Sequence, residues 1–212
     1  MQIGRLIPDF VAIVNCGAAA ATLILAGCSS PGAVGVVPES AAVRAMELYD
    51  ANKDGALDAE ELKKSPPLAA ALSAYDANGD GRIETSEISQ RLTRLFAGSP
   101  NLAEVVITVT ADGQPLSGAT VQLQPAEFVG SGMELAKGVT DETGTVRPTI
   151  GEEHLPAEFR SSPLVQYGPY LVEITHAERQ LPARYNSASE LGMDVDPTSR
   201  SGLSTNFALT TK

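Results

Sequence analysis

Apolar residues in the first half of the chain recur at helical spacing. Ala42, Met46 and Tyr49 fall on one face, Leu68, Leu72 and Tyr75 on a second, and Ile88, Leu92 and Leu95 on a third. Steps of three and four residues predict helices flanking two polar stretches, residues 50–61 and 76–87. A short helix runs from about Asp58 to Lys64 before Pro66-Pro67 breaks it. Ser65-Pro66 suits the N-cap and first turn of the next helix. From residue 104 the period falls to two: Glu104–Thr110, the segment around Val121 and Leu123, Leu171–Thr175 and Ser204–Leu209 read as strands. Asp112-Gly113 supplies the positive φ of a tight hairpin turn, and Asp141-Glu142-Thr143-Gly144 marks a second turn. The pattern divides the chain into a helical region, 39–97, a linker, 98–103, and an all-β region, 104–212, with 151–167 as a long loop. The expected fold class is α+β multidomain.

The N-terminus adds a different kind of segment. Residues 10–27 are almost wholly apolar apart from Asn15 and Thr22, and Arg5 precedes them. This is the pattern of a signal peptide, from which Asp9 departs. The run ends in Leu25-Ala26-Gly27-Cys28, which resembles the lipobox of bacterial lipoproteins. The resemblance implies a signal peptide at 1–27, acylation of Cys28, and a tether at 28–38. It places the protein in the cell envelope, anchored to membrane by lipid and facing the periplasm or exterior. The other reading is an uncleaved membrane helix, since 18 apolar residues approach the minimum span. Cys16 lies inside the signal, so the processed chain has no intrachain disulfide to stiffen it.

A formal net charge of −11 argues against nucleic acid as a partner, whose phosphates need a basic face. It also argues against charge-driven adhesion to anionic lipid. The acidic residues are not spread evenly. In the first polar stretch Asp50, Asn52, Asp54, Asp58 and Glu61 fall at positions 1, 3, 5, 9 and 12, Gly55 at 6, and Ala56 offers its carbonyl at 7. In the second, Asp76, Asn78, Asp80, Glu84 and Glu87 repeat those positions, with Gly81 at 6 and the Arg82 carbonyl at 7. This oxygen-only donor set suits a hard cation, and the spacing is that of the EF-hand calcium loop. Resemblance to the EF-hand family implies two calcium ions, and a short antiparallel ribbon between the loops made by Leu57 and Ile83 at position 8. The loops begin only 26 residues apart, which resembles bacterial EF-hand pairs more than calmodulin. Little helix is left to swing open, and no Met-rich groove is visible. A constitutive calcium strut is therefore preferred to an extracytoplasmic calcium sensor that switches partner binding. A dockerin is disfavoured because Glu61 and Glu87, not Asp, close the loops.

In the β region the strings DGQPLSGATV, TDETGTV and GPYLVEI, followed by Leu181-Pro182-Ala183-Arg184-Tyr185-Asn186, resemble the carboxypeptidase regulatory-like or transthyretin-like β-sandwich. The resemblance implies seven or eight strands and a non-catalytic structural or interaction module, whose partner would be an envelope protein or glycan. No catalytic motif is present: His154 and His176 are too far apart for a spaced zinc site, and Glu152-Glu153 reads as a solvated pair. The chain is not expected to be an enzyme.

Overall fold

Pro38 opens the first helix, α1 (Pro38–Tyr49), with Glu39 in its first turn, where a missing N–H costs nothing and a negative charge suits the helix dipole. The computed structural model describes residues 35–198 and 203–211. Cys28, the expected signal segment 1–27 and most of the expected 28–38 tether lie outside the described residues. Helix α1 buries Ala41, Ala42 and Ala45, whose small side chains let it pack closely on α5 (Thr85–Phe96). The expected stripe of α5, Ile88, Leu92 and Leu95, is buried throughout. Tyr49 meets Phe128 edge to face at 6.4 Å.

Between them lie α2 (Ala59–Leu62), α3 (Pro66–Ala70) and α4 (Leu72–Tyr75). Asp58 caps α2 by accepting from the Glu60 and Glu61 amides, and Glu61 reaches back to complete a capping box. Ser65 stands at the N-cap of α3 as expected, although its side chain makes no capping bond. The segment expected as one entering helix is interrupted at Ala71 (φ −111°, ψ 17°). There Ala71 donates to the Leu68 carbonyl and Ala74 to the Ala71 carbonyl, three residues back in each case, which is a local 3₁₀ tightening. Both Leu68 and Tyr75 are nonetheless fully buried. The strands β1 (Ala56–Leu57) and β2 (Ile83–Glu84) form a two-stranded antiparallel ribbon.

The β region follows. Leu102–Ala103 (β3), inside the expected linker, pairs with Val165–Gln166 (β9), inside the expected long loop. One four-stranded sheet contains Ala119–Pro125 (β6), Ala136–Val139 (β7), Gly168–His176 (β10) and Gly192–Val195 (β11), in the order β11-β10-β6-β7. A second sheet is built on Val106–Ala111 (β4), flanked by Gln114–Pro115 (β5), Thr145–Val146 (β8) and Ser204–Leu209 (β12). Asp112 (φ 51°) and Gly113 (φ 80°) form the two-residue turn of the β4–β5 hairpin, as their sequence predicts. Alternate residues Ile107, Val109 and Ala111 of β4 and Val121 and Leu123 of β6 enter one shared core. Among the described residues the sheets do not close into a barrel. The closing strand β12 runs parallel to β4, a direction that alternation cannot encode.

The helical and β regions belong to one compact unit, Ala33–Lys212, and their buried apolar residues form a single cluster. Helix α3 lies directly on β11. Gly192 permits this approach, because a Cβ there would collide with the Pro66 carbonyl. No helix among the described residues is long and apolar enough to cross a membrane.

Candidate metal centre

Each loop is shaped by its own side chains acting on its own backbone. In the first, Asp50 Oδ1 accepts from the Lys53 amide at 2.6 Å and Oδ2 from the Gly55 amide at 3.0 Å. Asn52 Oδ1 accepts from Asp54 N at 2.8 Å, and Asp54 Oδ1 from Ala56 N at 3.1 Å. Glu61 closes the circle: Oε1 accepts from Ala51 N at 2.8 Å and Oε2 from Asp58 N at 3.1 Å. The second loop repeats this bond for bond. Asp76 holds the Gly79 and Gly81 amides at 2.7 and 2.9 Å, Asn78 holds Asp80 N at 2.8 Å, and Asp80 holds Arg82 N at 2.9 Å. Glu87 accepts from Ala77 N and Glu84 N, both at 2.9 Å. The sharp turns fall on Gly55 (φ 88°) and Gly81 (φ 80°), a backbone region that L side chains rarely adopt.

Leu57 pairs with Ile83 in the ribbon, both fully buried, which is the position-8 contact expected from the spacing. The ribbon sets the two loops side by side. Glu61 and Glu87, each at the start of an exit helix, are only 6% and 5% exposed. A buried carboxylate needs compensation, and here backbone N–H groups supply part of it.

The donor set fits a hard cation. Each loop offers carboxylates, one amide oxygen and one backbone carbonyl, with no sulfur or imidazole. Among the described residues, no three His, Cys, Asp or Glu side chains gather tightly enough to hold a metal by themselves. The carboxylates here are turned in part toward backbone amides, and the carbonyls of Ala56 and Arg82 belong to the proposed set but not to a side-chain cluster. His154 and His176 are not brought together: His154 lies near Glu134 and Glu153, and His176 meets the Ser117 carbonyl at 2.9 Å.

Two features escaped the sequence reading. Arg91, four residues after Glu87 on α5, extends a buried guanidinium to β11, bonding Asp194 Oδ2 at 2.6 Å and Asp196 Oδ2 at 2.8 Å. It also lies 5.8 Å from the ring centre of Tyr75, the residue immediately before Asp76. Burial pushes the Asp194 carboxyl up despite the neighbouring charge of Arg91. The alternation Met193-Asp194-Val195-Asp196 was the available signal for this strand, with its two acids on the face opposite Met193 and Val195. The second feature is the side chain of Arg82. It crosses the ribbon to Asp54 Oδ2 at 2.5 Å, and this hydrogen bond holds the Asp54 carboxyl below the usual carboxylate range.

Comparison with known proteins bears on the helical region. The model of the EF hand family matches residues 43–64 and again residues 68–92. These two segments contain both twelve-residue loops whole and parts of the helices around them. The match supports calcium as a ligand of this chain. No curated protein and no solved structure matches the chain.

Proposed function

We propose that this protein is a lipid-anchored component of the cell envelope in which two calcium-loaded loops brace a non-catalytic β module. The residues that would hold the ions are Asp50, Asn52, Asp54, Asp58, Glu61 and the Ala56 carbonyl in the first loop. In the second they are Asp76, Asn78, Asp80, Glu84, Glu87 and the Arg82 carbonyl. Each bound ion would supply two positive charges to a ring of four carboxylates. The chain's own contribution is to hold those carboxylates in place through the backbone amides they already engage.

The observation that carries the strut reading is the Arg91 clamp. The second exit helix begins at the Glu87 turn, and one turn later it is fastened to β11 through Asp194 and Asp196. A helix fixed in this way cannot swing open without separating Arg91 from both acids and uncovering Ile88, Leu92 and Leu95, which are buried along it. Loading the loops then stiffens the β region rather than uncovering a groove. Two sheets with alternating buried faces support the transthyretin-like sandwich reading, with an envelope protein or glycan as partner. The lipid anchor rests on Leu25-Ala26-Gly27-Cys28 at the end of the apolar run 10–27.

Calorimetric titration of the full-length chain should give two calcium equivalents, and Glu61→Gln and Glu87→Gln should each remove one. Absence of uptake at millimolar calcium would sink the reading. The sensor alternative predicts that calcium increases binding of an apolar dye; the strut predicts no increase. Cys28→Ser should abolish labelling by radioactive palmitate, and persistent labelling would remove the anchor from the proposal.

A further inference from the structure

At position 7 of an EF-hand loop only the backbone carbonyl is needed, so the side chain is free. Arg82 uses that freedom to leave its own loop. Its Nη2 donates to Asp54 Oδ2 at 2.5 Å and, more weakly, to the Ala56 carbonyl at 3.4 Å. Asp54 and Ala56 are positions 5 and 7 of the other loop. The carboxylates of Asp58 and Asp80 also act on the guanidinium, so one positive charge sits among acids from both loops. The arrangement is one-sided. Among the described residues, no salt bridge reaches Asp76, Asp80, Glu84 or Glu87.

The pair is not explained by stability. Arg82 and Asp54 are 38% and 43% exposed, and ion pairs this open contribute little to folding. They do bear on a cation arriving at the first loop. A guanidinium placed on a ligand position repels a divalent ion there and occupies two of its oxygen donors.

We propose that Arg82 is an affinity-setting residue for the first loop: a resident cation, delivered from the second loop, that makes the first calcium site the weaker of the two. This rests on the reading of residues 50–61 as a calcium site. Calcium entering the first loop must displace the guanidinium or share Asp54 and the Ala56 carbonyl with it. Among the described residues no guanidinium bonds a ligand oxygen of the second loop, whose Asp80 feels the Arg82 charge only at a distance. The pair therefore fills in order, second loop first.

The test is calorimetric titration with calcium of the full-length chain and of Arg82→Gln, Arg82→Lys and Glu61→Gln. Gln removes the charge and leaves the backbone carbonyl in place. The wild-type chain should show two classes of site, and Glu61→Gln should delete the weaker one. Arg82→Gln should tighten the weaker class roughly three- to tenfold, the scale for a unit charge several ångströms from a divalent ion in a water-like dielectric. Arg82→Lys should fall between, since it keeps the charge and loses the planar fork. Raising ionic strength should shrink the difference between wild type and Arg82→Gln, a dependence that a packing role would not produce. The proposal is overturned if Arg82→Gln leaves both classes unchanged or weakens the first, or if Glu61→Gln deletes the tighter class. A wild-type chain that takes up no calcium overturns the underlying reading, and the proposal with it. A wild type that binds two ions while Arg82→Gln changes nothing overturns the proposal alone.

Discussion

Lys53 adopts φ 59° at position 4 of the first loop, where the second loop has Gly79 at φ 77°. The backbone path is the same, and only one loop meets it with a residue suited to it. A side chain in the left-handed region costs about 1–2 kcal/mol, part of which returns as lower chain entropy in the unfolded state. Lys53→Gly should therefore stabilise the calcium-free protein by about 1 kcal/mol, read as a rise of about 2–4 °C in Tm in chelator. Glu61 and Glu87 have a different vulnerability. Each accepts backbone N–H groups at both carboxylate oxygens while nearly buried, so Gln replaces one acceptor with a donor facing a donor. Each variant should lose about 1–3 kcal/mol even in chelator, besides its calcium equivalent, and chemical denaturation with and without calcium separates the two losses.

Helix α3 meets β11 at a close backbone approach. Gly192 is required there for space and not for conformation, since the Pro66 carbonyl occupies the volume of any Cβ. Gly192→Ala should push α3 off the sheet edge and cost roughly 1–3 kcal/mol, with the loss appearing in thermal melts at saturating calcium. The helices themselves were legible in the sequence. Ile88, Leu92 and Leu95 mark α5 because a 3.6-residue period is a local property. Strand β4 was legible for the same reason at period two. The break at Ala71 was not, because nothing in Pro66–Tyr75 itself signals a tightened turn. Nor was β11, because the alternation Met193-Asp194-Val195-Asp196 is a signal too short to stand out from its surroundings.

For the whole unit, the Arg91 cluster joins residues 103 and 105 positions apart. Arg91→Met leaves Asp194 and Asp196 buried together without a counter-charge, and should cost about 3–5 kcal/mol. Because one apolar cluster spans both regions, the wild-type protein should melt in a single transition by both calorimetry and circular dichroism. Chelation should shift that whole transition downward: at free calcium 100 times Kd each site contributes about 2.7 kcal/mol. Two separated transitions in the wild type, only one of them sensitive to chelator, would contradict the brace.

The sequence by itself determined the loops. Every proposed ligand position, both turn glycines and the ribbon pair Leu57 and Ile83 lie within two runs of twelve residues, where spacing along the chain fixes spacing in space. It also determined the change of period at residue 104 and the Asp112-Gly113 hairpin, which are equally local. Only the tertiary structure decided that α3 rests on Gly192, that β12 runs parallel to β4, that Arg91 is clamped between Asp194 of β11 and Asp196 just beyond it, and that Arg82 reaches across to Asp54. Those contacts join residues from 28 to more than a hundred positions apart. No repeat or spacing in the chain records them, because they exist only once the separate elements have been brought together.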